Sequence, residues 1–195
     1  MNEPRGGTGG GSTGGSTGGS TGQRATDTGG RTTDWAETDR ITDELGRAHD
    51  GDPWHGSSVR TLLDRVSAAQ AASRPVPNAH SIWELVLHMT SWRREVSRRL
   101  RSGMADEPEA GDWPPVTDVG DDAWRRALAA LDDAHEELVR AVRDFPAGRL
   151  DELVGDRRDR AMGTGVSYYV TLHGIAQHDA YHAGQISLLR KAAGG

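Results

Sequence analysis

Residues 32–195 predict an all-α domain, a four-helix bundle with long connections, preceded by a disordered Gly/Ser/Thr-rich tail over residues 1–31. Three observations carry that expectation. Apolar side chains recur at helical spacing in four segments of 14 to 25 residues. No segment shows the alternation of a half-buried strand. The first 31 residues hold a GGST repeat from Gly10 to Thr21 and almost nothing that could be buried.

The first helix is expected from about Asp34 to Arg47, with Ile41, Leu45 and Ala48 apolar, and Gly51-Asp52-Pro53 stops it. A short helical piece follows around Val59, Leu62, Leu63 and Val66, before Pro75-Val76-Pro77-Asn78 breaks the chain. The second long helix begins at a capping box formed by Ser81 and Glu84. In it Ile82, Leu85, Met89, Trp92, Val96 and Leu100 fall on one arc. Its arginine-rich end (Arg93, Arg94, Arg98, Arg99, Arg101) reads as a solvated terminus that complements the helix dipole. Residues 103–120, with Pro108, Pro114 and Pro115, read as a long loop. The third helix spans about Asp121 to Arg143, with Trp124, Leu128, Leu131, Leu138 and Val142 as its stripe, and Phe145-Pro146 ends it. A second long connection carries Gly155, Gly163 and Gly165, and the fourth helix runs from about Ser167 to Lys191. Two long connections argue against a plain up-down-up-down bundle.

Composition removes several function classes. The chain has no cysteine, which excludes disulfides, thiolate metal sites and a cysteine nucleophile, and fits a cytoplasmic setting. The net charge is −6, with basic residues scattered among acidic ones, which argues against a nucleic-acid partner. No run of about 18 apolar residues occurs, so no membrane span is expected, and the tail lacks the apolar core of a signal peptide.

The chemistry sits in His178-Asp179-Ala180-Tyr181-His182-Ala183-Gly184-Gln185-Ile186. Histidines four residues apart stand one turn above each other on one helix face, the spacing two imidazoles need to share a metal ion. A lone histidine on an apolar face is more often a satisfied core residue, but this pair faces inward, where each imidazole needs a partner. Two residues compete as third ligand. His88 lies at the edge of the second helix's apolar arc, and His135 lies within the third helix's stripe between Leu131 and Leu138. His173 points away from the pair. His55 sits in a turn, Pro53-Trp54-His55-Gly56, and could reach a site; His49 and His80 are assigned no role. Glu84 is explained by its cap. Asp179 projects about 100° from His178, too far round to share the metal, and is expected to orient a ligand on a neighbouring helix. Tyr181 and Gln185 flank the pair and are candidate contacts to a bound water or substrate.

His80-Ser-Ile-Trp-Glu-Leu-Val-Leu-His88-Met-Thr-Ser-Trp92 resembles the second helix of the DinB/YfiT-like superfamily, and Leu172-His-Gly-Ile-Ala-Gln-His178-Asp-Ala-Tyr-His182-Ala-Gly-Gln-Ile186 resembles its last helix. Pro53-Trp54-His55-Gly56 resembles a subgroup feature. The similarity covers nearly everything after the tail. It implies a four-helix bundle, often a homodimer, with one divalent metal (zinc, nickel or iron) held by three histidines. By matching position those are His88, His178 and His182, which sets His135 aside. Superfamily members similar to this chain include thiol-dependent S-transferases, and a three-histidine metal acting on a small-molecule substrate leaves three activities to weigh. One is a metal-dependent hydrolase acting through activated water. Another is an S-transferase using a low-molecular-weight thiol such as mycothiol or bacillithiol. The last is a non-catalytic metal-binding stress-response protein. His55, Tyr181 and Gln185 are the expected substrate contacts.

Overall fold

Short polar signals set where most of the helices begin. Ser81 Oγ accepts the Glu84 N–H at 3.2 Å and the Glu84 carboxylate accepts the Ser81 N–H at 2.8 Å, closing the expected capping box. That start launches a 21-residue helix, Ile82–Ser102, and Ser167 caps the 25-residue helix Tyr168–Ala192 by accepting from Val170 N. In a computed structural model, which describes residues 35–158 and 165–194, the order is α1 (Glu37–His49), α2 (Val59–Leu63), α3 (Ala68–Ala72), α4 (Ile82–Ser102), β1 (Met104–Ala105), α5 (Asp121–Arg143), β2 (Gly155–Asp156) and α6 (Tyr168–Ala192). The expected tail over residues 1–31, and Gly163 of the last connection, lie outside the described residues.

Helix α4 is the centre. It packs on α5 and α6, while α1 packs on the other two long helices and α2 and α3 close one end. The core has two clusters. One gathers Val59, Ile82, Leu85, Met89, Trp124, Leu131 and Ile186, and the other Ile41, Leu45, Val96, Leu138, Tyr168 and Leu172. Trp124 also donates its indole N–H to Val66 O at 2.7 Å, fixing the α2–α3 turn to α5.

Three features differ from the sequence expectation. Helix α3 is an extra element, started by a second capping box in which Ser67 and Gln70 bond reciprocally. The two long connections meet in a minimal parallel pair, Met104 with Gly155 and Ala105 with Asp156. Two residues carry no readable period, so no strand signal exists there. Gly103 ends α4 at φ 70°, the left-handed cap glycine adopts freely, and Gly155 fits because a Cβ there would lie 2.8 Å from Met104 Cε. The third difference is α4's arginine end. Arg94 and Arg101 are exposed, but Arg93 is fully buried and Arg99 nearly so, because α4 is covered on its polar side as well as its apolar arc.

Candidate metal centre

α4 contributes His88 and α6 contributes His178 and His182. Their ring nitrogens converge from two packed helices: Nε2 of His178 lies 2.9 Å from Nε2 of His88 and 3.0 Å from Nε2 of His182. One ligand atom from each lies within 4.8 Å of the others, a group that could hold a metal ion. His88 and His182 are buried and His178 is half-buried. The rival ligand is elsewhere. His135 stacks on His49, with ring centroids 4.0 Å apart, and its Nδ1 is buried without a partner. His173 pairs with Glu44 and Glu37 at the surface.

The far side of each ring decides which nitrogen carries the proton. His88 donates Nδ1–H to the backbone carbonyl of Asp112 at 2.7 Å, since a carbonyl can only accept. His182 Nδ1 lies 2.6 Å from Oε1 of Gln185, which accepts in the same way. Both Nε2 atoms therefore present lone pairs. A proton on His178 Nε2 can serve only one of the two short contacts, and the other sets lone pair against lone pair. A cation among the three nitrogens removes that conflict. With metal–nitrogen distances of about 2.0–2.1 Å, tetrahedral geometry separates the nitrogens by about 3.3 Å, a few tenths of an ångström more than the two short contacts His178 makes. Burial pushes the His182 imidazole down to about 4 and also lowers His88, so both are neutral at pH 7, as ligation requires.

A loop lids the His88 side. Ser91 Oγ donates to Gly111 O at 2.7 Å and the Trp92 indole to Asp112 Oδ1 at 2.7 Å, which with the His88 bond fasten Gly111–Trp113 along one face of α4. Trp113 then stacks on His88 at 3.9 Å, and His80 stacks on the other face of Trp113 at 3.6 Å. Sequence reasoning missed Asp112 and Trp113, because a proline-rich loop has no periodicity from which a facing could be read; His80 likewise takes part through its ring.

Gln185 stands as an acceptor behind a candidate ligand. Tyr181 is mostly exposed, its ring edge against His182. His55 is exposed in the α1–α2 connection and joins none of the ring contacts around the cluster. Glu84 is engaged by Ser81 and by Arg74 at 2.5 Å, which leaves it no role as a base. Asp179 is fully buried and reaches a neighbouring helix, but toward Arg93 and not a ligand there. Burial opposes its charge, yet Arg93 and His178 together hold it below the ordinary carboxylate range. A cavity of about 280 Å³ runs beside the cluster, with His178, Trp92, Val96, Gly174, Ile175 and Arg99 in its wall.

A helical bundle carrying three inward histidines on its second long helix and its last is the class this geometry defines. The chain belongs to the DinB superfamily, whose family model matches residues 54–186. The crystal structure of a DinB-like protein, YjoA of Bacillus subtilis, is similar in fold at a TM-score of 0.56 and 18% identity, covering 78% of this chain and 90% of that one. No curated protein matches the chain. No described helix is long and apolar enough to cross a membrane.

Proposed function

We propose that the protein is a metal-dependent hydrolase of small molecules, built on one divalent ion of zinc, nickel or iron held by His88, His178 and His182. The observation that carries this reading is the convergence of three Nε2 atoms, two of them fixed as lone-pair donors by Asp112 O and Gln185, with no fourth protein ligand in the group among the described residues. Three neutral nitrogens with an open position are the ligand pattern of reactive sites. Such an ion would supply Lewis acidity and bring a water's pKa from 15.7 toward about 7. The chain's own part is to keep the imidazoles neutral, aim them, and offer the cavity beside His178 to a substrate.

A second reading is transfer of a low-molecular-weight thiol such as mycothiol or bacillithiol to an electrophile, in which the sulfur nucleophile comes from that thiol because the sequence holds no cysteine. We also propose a cytoplasmic setting and a homodimer, supported for the latter by the exposed apolar residues Val170, Tyr181 and Leu188 along one side of α6. The test is elemental analysis of untagged protein beside a His178→Ala, His182→Ala double variant. About one equivalent of metal, lost in the variant, supports the site. Cobalt substitution then separates the activities: because the chain has no cysteine, any thiolate-to-cobalt band on adding a thiol comes from that thiol. No band removes the transferase reading, and no metal uptake removes both.

A further inference from the structure

Two of the three histidines have an acceptor behind Nδ1, and the third does not. His178 Nδ1 is buried with no hydrogen-bond partner. One other orphan faces it. Asp179 takes both of its bonds on Oδ2, from Arg93 Nε at 3.1 Å and Arg93 Nη2 at 2.8 Å, leaving Oδ1 buried and unpaired. Oδ1 and His178 Nδ1 are 3.9 Å apart, beyond a hydrogen bond but within reach of a small rotation of the ring. Two unsatisfied buried groups, one able to donate and one able only to accept, are each other's natural partners.

Arg93 is built to hold that carboxylate still. It is 0% exposed, and its remaining bonds go to His49 Nδ1 at 3.1 Å and Leu131 O at 3.3 Å. His49 in turn bonds Asp132 Oδ1 at 3.0 Å, and Asp132 meets Arg60 at the surface. The guanidinium is thereby fixed to α1 and α5 while it grips α6. We propose that Asp179 is the positioning residue for His178, held by Arg93, and that its free oxygen accepts the His178 Nδ1 proton so that Nε2 points its lone pair at the metal. This rests on the metal reading above. It gives each ligand an acceptor: a backbone carbonyl for His88, an amide oxygen for His182, a carboxylate for His178. Carboxylate-backed imidazoles are a recurrent device for fixing tautomer and ring orientation.

Asp179→Asn is the discriminating change. It is isosteric and can still accept from Arg93 through its amide oxygen, but it turns an NH₂ toward His178 and so favours the tautomer protonated on Nε2, which cannot ligate. The experiment is long-range ¹H–¹⁵N correlation of the histidine rings in full-length protein loaded with zinc, together with zinc affinity by chelator competition. The wild type should show His178 protonated on Nδ1 and not on Nε2. The variant should bind zinc about 10- to 100-fold more weakly and, in its zinc-free form, carry the His178 proton on Nε2. A purely structural role would not move that proton. Zinc bound at one equivalent with His178 Nδ1 unprotonated overturns the proposal and leaves the metal reading standing, as does a variant affinity within threefold of wild type. No zinc bound by the wild type overturns both. If Asp179→Asn does not fold, the wild-type spectrum decides alone.

Discussion

His135→Leu tests the placement of the histidines and their electrostatics in one variant. In the wild type, burial and, after it, the Arg93 guanidinium lower the His135 imidazole from 6.5 to about 4. The folded protein thus prefers neutral His135, while the unfolded chain takes up its proton near 6.5. Stability from this group is complete above pH 6.5 and is lost as the pH falls from there toward about 4, because the unfolded state binds more protons in that window. At 1.36 kcal/mol per pKa unit the full contribution is about 3 kcal/mol, of which about 2 kcal/mol is lost by pH 5. His49 stacks on the same ring and is held at about 2, chiefly by burial, so it adds its own slope in both proteins. The leucine joins the Leu131–Leu138 stripe and has no proton to gain. Urea denaturation of metal-free protein at pH 7.5 and pH 5 should therefore show wild type losing about 2 kcal/mol more than His135→Leu over that interval. Metal stoichiometry should be the same in the two, since His135 lies outside the cluster. Equal pH slopes would refute the burial argument, and loss of metal in His135→Leu would refute the assignment of the third ligand to His88.

Gln185→Leu removes the acceptor behind His182 Nδ1, and zinc affinity by chelator competition should fall about 10- to 100-fold with helicity by circular dichroism unchanged. Zinc at 100 times its dissociation constant should stabilise the wild type by about 2.7 kcal/mol in urea titrations, and the His178→Ala, His182→Ala double variant not at all. Gly155→Ala places a methyl 2.8 Å from Met104 Cε and 3.1 Å from the Gly103 carbonyl, so chemical denaturation should show a loss of about 1–3 kcal/mol with metal content intact.

The long helices were legible because their signals are local. Ser81 and Glu84 mark the start of α4 within four residues, and the His178–His182 spacing is a property of one helix. What escaped is set by contacts distant in sequence. Periodicity gives the apolar side of α4 but not how many neighbours the helix has. Because α5 and α6 both pack on it, Arg93, Glu95 and Ser97 are buried as thoroughly as its hydrophobic arc, and an arginine run that reads as solvent-facing supplies an interior anchor. His49 ends α1 and looks like a terminal residue, yet it bridges Arg93 and Asp132. Asp112 and Trp113 were invisible for a different reason: three hydrogen bonds from α4 define their loop, and none can be read from the loop's own residues. Helix α3 could have been found, since Ser67-Ala-Ala-Gln70 is a capping box in plain sight, but its five residues are too few to show a period.

Arg93 and Asp179 serve the fold and the metal at once, and the two roles can be separated. Arg93→Met alone strands a carboxylate that is 0% exposed; removing one partner of a buried ion pair typically costs about 3–5 kcal/mol, most of it the uncompensated charge. Replacing both, as Arg93→Met with Asp179→Leu, removes that charge, so most of the lost stability should return even though His49 Nδ1 and Leu131 O lose their donor. Zinc affinity should behave differently. If the pair only supports packing, affinity recovers together with stability in the double variant. If Asp179 sets the His178 tautomer, affinity remains about 10- to 100-fold below wild type, because a leucine accepts no proton. Denaturation midpoints and chelator competition on the same three proteins read the two quantities independently. A double variant restored in both would show that the carboxylate serves the helix packing alone.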